Sequence, residues 1–213
     1  MLKENKKTLI ITSIVTLLPI IIGVVLWKRL PDVMVTHFGM DSTGNGSSSK
    51  AFAVFVFPVI LLALHMLVAY ITAHDPKKQN ISAKMFTLVL WIVPVLSVVL
   101  SAVIYSYNLG GKVDVTLVAE LLISLILIVA GNYMPKARQN YTIGIRLPWT
   151  LANEENWDRT HRMAGWLWMI GGIVMAVLAL CGVLAPVWMI VIFAVIVLIP
   201  LFYSLWLHVS KSL

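Results

Sequence analysis

Charge is what this sequence has least of. Asp, Glu, Lys and Arg make up 12% of its 213 residues, against about 25% in an ordinary soluble domain. Hydrophobic residues reach 60% and the mean hydropathy is +0.94. A soluble globule cannot cover so much apolar side chain with so little charge. This excludes a soluble enzyme, a disordered tail and a nucleic-acid-binding domain. Acidic residues are scarcest, 9 against 16 Lys and Arg, for a net charge of +7. In a chain this apolar, the basic excess reads as loops held against anionic lipid, with no direct nucleic-acid partner. The one cysteine, Cys181, cannot form an intramolecular disulfide. H-E-x-x-H, G-x-S-x-G and a glycine-rich phosphate loop are all missing, so the common signatures of metalloproteases, serine hydrolases and nucleotide enzymes are absent.

What is present is a set of long apolar runs. A spanning helix needs about 20 apolar residues. Six runs qualify: Thr8–Trp27, Ala51–Ala73, Met85–Tyr107, Val115–Tyr133, Met163–Leu184 and Val187–His208. Ala185 and Pro186 alone separate the last two, which predicts a tight helical hairpin. The first run follows Lys3, Lys6 and Lys7 but is long for a signal-peptide core and lacks a small-x-small cleavage site, so it reads as a retained span. With the N-terminus inside, segments 1–7, 74–84, 134–162 and 209–213 carry twelve Lys and Arg, and the outer segments carry four. That bias predicts both termini cytoplasmic. No internal repeat is visible. The expected fold class is an all-α integral membrane protein of the cell membrane, a six-transmembrane helical bundle. Residues 1–73 would form an N-terminal hairpin with outer loop 28–50, and residues 74–213 four further spans with inner loop 134–162, all in one compact bundle.

The outer loop reads KRLPDVMVTHFGMDSTGNGSSSK. Leu30-Pro31 ends the first helix. Val33 and Val35 with polar neighbours allow a short extended stretch, and the glycines and serines after Asp41 predict a flexible turn. His37 and Asp41 are candidates for ligand contact or metal binding. His-x-x-x-Asp without a third ligand is a weak metal signal, and Asp41 as a turn former is the simpler reading. Within the spans, Glu120 is the only acid, in the outer leaflet on this topology. An intramembrane carboxylate is a functional candidate by default, with Lys112, Lys50, Arg29 or His37 as possible partners. His65 reads as a hydrogen-bonded structural group. Pro19, Pro58, Pro94 and Pro200 can kink their helices.

The inner loop, GNYMPKARQNYTIGIRLPWTLANEENWDRTHRMAGW, holds the densest pattern. Pro135 terminates the fourth span, and Gly144 permits a turn or a close backbone approach. Arg146, between Ile145 and Leu147, is expected to be semi-buried and to anchor the loop. Thr150 or Asn153 can cap a helix whose first turn holds Glu154 and Glu155. Trp157, His161, Gly165 and Trp168 fall on one face of it. Glu155–Arg159 and Asp158–Arg162 are i, i+4 pairs in the favourable order.

These residues resemble the SdpI family of bacterial membrane immunity proteins. The resemblance rests on Gly131-Asn132, Pro135, Asn140, Gly144-Ile145-Arg146, Pro148-Trp149-Thr150, Trp157, His161 and Gly165. The outer loop resembles the domain that precedes this segment in the family, through Leu30-Pro31, His37-Phe38, Asp41, Gly44 and Lys50. One departure is Val35, where the family pattern often has proline.

The resemblance implies protection of the cell against a secreted, membrane-active peptide toxin met on the outer side. It also implies a receptor role in which a cytoplasmic transcriptional repressor is held at the membrane. Neither role calls for a cofactor. On this reading His37, Asp41 and Glu120 are the ligand candidates. The competing readings are a membrane-embedded enzyme built on His37, Asp41 and Glu120 or on His161 and Arg146, and a small transporter. The polar residues in the spans are too sparse for a clear transport pathway.

Overall fold

The computed structural model describes residues 1–211; the last two positions of the segment 209–213 lie outside the described residues. Six helices among those described are long and apolar enough to cross a membrane: Lys6–Val25, Phe52–Ala73, Ala83–Asn108, Val115–Lys136, Glu154–Leu180 and Pro186–Lys211. The chain is a multi-pass membrane protein. Labelled in order, the regular helices are α1 (Lys6–Val25), α2 (Phe57–Ala73), α3 (Ala83–Asn108), α4 (Val115–Tyr133), a short α5 (Pro148–Ala152), α6 (Glu154–Leu180) and α7 (Pro186–Lys211). The second span opens on a π-helical stretch, Phe52–Val56, just ahead of Pro58. Pro58 has no N–H to give, and the wider turn absorbs the register change its ring imposes.

Two strands join the helices. β1 (Val33–Phe38) and β2 (Gly44–Ser49) pair antiparallel with irregular register around His37. The extended stretch at Val33 and Val35 is there. The Gly/Ser cluster, expected as a flexible turn, is instead its partner strand.

The chain divides into two units, residues 1–74 with 83–116, and residues 75–82 with 117–213. In the first, α1 and α2 pack on α3. A buried cluster of Leu30, Met34, Ala53, Val54, Ile104 and Tyr105 seats the loop on the helices. Met34 is completely buried, which stabilises by about 2 kcal/mol. Polar groups inside the unit are mostly matched. His65 Nε2 lies 3.0 Å from Thr12 Oγ1, Ser97 Oγ donates to Thr16 O at 2.8 Å, and Tyr105 OH donates to Pro19 O at 3.1 Å. His65 is thus the hydrogen-bonded structural group the sequence implies.

In the second unit, α4 and α6 approach backbone to backbone. A Cβ on Gly131 would meet Met169 N at 2.5 Å, one on Gly165 the ring of Pro135 at 2.6 Å, and one on Gly172 Ser124 O at 2.8 Å. Small residues permit such contact between membrane helices, where dispersion and not water drives association. Trp168 Nε1 donates to Ile196 O at 3.0 Å. That carbonyl lies four residues before Pro200, whose missing N–H would otherwise leave it unpaired. α6 ends in a Schellman motif: Val183 N donates to Leu178 O at 3.0 Å and Gly182 N to Ala179 O at 2.9 Å, with Gly182 at φ +69. The fifth span therefore stops at Leu180, and the last connection is longer than the two residues expected.

Candidate functional site

Each unit builds one ordered loop from residues the sequence singles out. In the first unit the hairpin is clamped to the end of α3. Asn108 behaves like a third strand of one residue. Its Oδ1 accepts from Val35 N at 2.8 Å, while its Nδ2 donates to Val35 O at 2.9 Å and to Ile104 O at 2.8 Å. Tyr107 packs edge-on against Phe38, 4.9 Å between ring centroids, and its hydroxyl accepts from Gly44 N at 3.3 Å. Ser42 Oγ donates to Asp114 Oδ1 or Thr116 Oγ1 and accepts from Thr116 N at 3.0 Å. Lys50 is buried, pairs with Asp32 at 2.9 Å, donates to Trp27 O and lies 5.0 Å from the Trp27 ring centre. These ties explain why Gly44–Ser49, a poor strand former by composition, is ordered.

Asp41 is a turn former. Its Oδ1 accepts from Thr43 N at 3.1 Å and Thr43 Oγ1 at 2.7 Å. The Thr43 hydroxyl, then its backbone N–H, hold the exposed carboxyl below its usual value of 3.8. His37 is exposed and pairs with Gly46 across the strands. Among the described residues no group of three or more His, Cys, Asp or Glu is placed to hold a metal ion. Glu120 is buried in α4 of the second unit, where Ser124 Oγ donates to its carbonyl at 2.7 Å.

Beside the hairpin, α1 and α3 enclose a cleft of about 300 Å³ lined by Pro19, Ile22, Leu26, Ser101 and Tyr105. Ser101 Oγ is buried there with no hydrogen-bond partner among the described residues. Composition does not single out Ser101, Asn108 or Tyr107; only their placement in the fold does.

The loop 134–162 lies in the second unit and is held by a dense polar network. Gly144 has φ +117, open to glycine but strained for other residues. A Cβ there would collide with His161 Nε2. That nitrogen lies 2.9 Å from Ile145 N and accepts its hydrogen bond, and Nδ1 lies 2.8 Å from Trp157 O. The two contacts together require a neutral ring with its proton on Nδ1. The imidazole stacks on Trp157 at 3.9 Å, and Trp157 Nε1 donates to Ala137 O at 2.7 Å. Asn140 folds the loop on itself: its Oδ1 accepts from Thr142 N at 2.9 Å and Ile143 N at 2.6 Å.

Asp75, from the preceding connection, accepts from Tyr141 N at 2.9 Å, from Lys77 N at 2.7 Å and from the Thr142 hydroxyl. Gln139, also missed from sequence, accepts from Lys77 Nζ and donates to Thr150 O at 2.9 Å. Trp149 Nε1 donates to Ser204 Oγ at 3.0 Å. Asn153 caps α6, its Oδ1 accepting from Asn156 N at 3.0 Å.

Two expectations here are corrected. Arg146 is exposed, not semi-buried, and reaches Tyr141 O at 2.8 Å. Anchoring falls instead to His161 and to Thr150, whose Oγ1 accepts from Leu147 N at 2.9 Å and lies 2.8 Å from Ile145 O. Glu155 and Arg159 form the expected pair. Asp158 and Arg162 form no ion pair among the described residues. Asn132 is exposed and accepts from Lys136 Nζ at 3.3 Å, and Pro135 packs against Gly165.

No solved structure matches the chain. The chain is 27% identical over 177 residues to the immunity protein SdpI of Bacillus subtilis (strain 168), a similarity that covers 80% of each chain. Residues 14–62, which include the hairpin, His37 and Asp41, match a domain of unknown function, DUF1648. Residues 136–204, which hold Asn140, Gly144, Arg146, Trp149, Trp157 and His161, match the model of the SdpI/YfhL protein family.

Proposed function

We propose that this chain is an immunity protein that protects the cell carrying it from a secreted, membrane-active peptide. On this reading the hairpin loop faces outward and the loop 134–162 faces the cytoplasm. The similarity to an immunity protein over 80% of the chain carries the proposal. The form of the hairpin supports it. β2, a short strand of Gly, Asn and Ser in a two-stranded sheet, has an outer backbone edge that an extended peptide can join, and main-chain pairing of this kind gives affinity without large side chains. The adjoining cleft offers apolar walls and one unsatisfied hydroxyl to a segment arriving through the lipid.

His37 and Glu120 are the side chains we assign to ligand engagement, with Asp41 shaping the turn between the strands. Binding, not catalysis, is the proposed mode. The test is expression of the chain in a sensitive cell exposed to a membrane-depolarising peptide. The chain should preserve the membrane potential. His37→Ala and Glu120→Gln should each reduce protection at unchanged membrane levels. Full protection by both variants removes these residues from the account, and failure of the unaltered chain to protect removes the function.

A second role, holding a cytoplasmic repressor at the membrane, is favoured by the rigidity of the loop 134–162. A loop whose polar atoms are satisfied internally keeps one shape and can present a fixed surface. Co-sedimentation of a repressor with membranes that contain the chain is its measurement.

A further inference from the structure

α6 changes character once along its length. Glu154, Glu155, Asp158, Arg159 and Arg162 crowd its first turns, and from Met163 to Leu180 it has no charged residue. At that boundary the surface of the second unit opens into a cleft of about 740 Å³. Its polar wall is Glu154, Asp158 and Arg162 with the Glu155–Arg159 pair, and its apolar wall is Met163, Trp166 and Tyr203. Such a boundary, with exposed Trp166 and half-buried Tyr203 beside it, is the level at which aromatic belts meet lipid headgroups. The neighbouring end of α7 has the same character: Lys211 Nζ lies 5.1 Å from the ring centre of Trp206, which stacks in turn on Tyr203.

The charges in the cleft are not used up internally. Glu155 closes on Arg159, but Glu154, Asp158 and Arg162 make no side-chain hydrogen bond or ion pair among the described residues. Asp158 and Arg162 have the favourable i, i+4 spacing and still remain apart. A second polar cavity of about 270 Å³ shares Glu154 and Asp158 and adds Arg138 and Asn80. Charges of both signs held apart around an open cleft fit a ligand that is itself of both signs.

We propose that this cleft binds the headgroup of a zwitterionic aminophospholipid. Arg162 takes the phosphate, for which a planar guanidinium offers paired donors. Asp158 and Glu154 take the primary ammonium, and an acyl chain lies along Met163, Trp166 and Tyr203. A purely anionic headgroup would satisfy Arg162 but leave its negative charge against two carboxylates. A quaternary ammonium has no N–H to give them. The site therefore selects a primary amine beside a phosphate.

The test is native mass spectrometry of the full chain, released from mixed vesicles of phosphatidylethanolamine, phosphatidylcholine and phosphatidylglycerol in equal parts. Phosphatidylethanolamine should be retained over either competitor by about ten-fold, the enrichment of one well-made charge-assisted contact. Asp158→Asn with Glu154→Gln should abolish that preference, and Arg162→Gln should lower retention of all three lipids. Equal retention of the three by the unaltered chain overturns the proposal, and this measurement needs no variant to fold. A preference that survives the loss of both carboxylates overturns it as well.

Discussion

Gly144 and its neighbours concentrate the loop's tolerance and intolerance within three residues. Its φ of +117 and the position of His161 Nε2 leave no place for a Cβ. Gly144→Ala should therefore cost more than 2 kcal/mol, by the sum of about 1–3 kcal/mol for strain and a further loss for the displaced imidazole, and membrane levels should fall. Arg146 makes one exposed hydrogen bond to Tyr141 O, so Arg146→Lys should melt in detergent within about 0.5 kcal/mol of the unaltered protein. A large loss on Arg146→Lys would return the anchoring role to the guanidinium. Asp41 adds a pH dependence. Its folded value is depressed below 3.8 by Thr43, so its contribution to the turn is present above the unfolded value. It is lost as the pH falls through the lower folded value. The Thr43 amide resonance should follow the same titration, and a shift centred above 3.8 would contradict the hydrogen bonds.

Among elements, the helices were legible and the hairpin only half so. Six apolar runs and the Asn153 cap are local signals, strong because lipid demands about 20 apolar residues in sequence. β2 has no local signal: Gly, Asn and Ser do not favour strands, and its order comes from Tyr107 at Gly44 and from pairing with β1, which Asn108 holds, beside a turn held by Thr116. Asn108→Ala should leave Val35 N and Val35 O unpaired and speed hydrogen exchange across residues 33–38 by ten-fold or more, about 1.4 kcal/mol or more of lost protection. Unchanged exchange would show that the hairpin is held without the Asn108 clamp, by Met34 burial and the ties to Tyr107 and Thr116. In α7, Trp168→Phe should orphan Ile196 O at a cost of about 1–2 kcal/mol. In a Pro200→Ala background, where a helical N–H can reach that carbonyl, Trp168→Phe should cost less. Equal costs in both backgrounds would deny the compensation.

For the whole molecule, the quantity the sequence predicts is topology. The twelve-to-four distribution of Lys and Arg predicts an orientation that single cysteines can check. With Cys181, which is exposed, first replaced by serine, a cysteine at Ser47 should react with an impermeant thiol reagent added outside intact cells. One at Asn153 should react only after permeabilisation. Labelling of both from outside reverses the assignment. Asp75 and Gln139 were not legible as parts of the loop network, because a polar residue in a short connection looks alike whether solvated or buried. Only tertiary placement separates the two, and it puts Asp75 at 4% and Gln139 at 4% exposure.

The bond from Val35 N to Asn108 Oδ1 bears on how such chains can diverge. Where proline stands at position 35 there is no N–H to accept from, and half of the clamp has no purpose. Positions 35 and 108 should then change as a couple. A chain with a donor at 35 retains the amide at 108, and a chain with proline there is free to replace it. Two sites 73 residues apart would leave a joint record in related sequences, although neither touches a ligand.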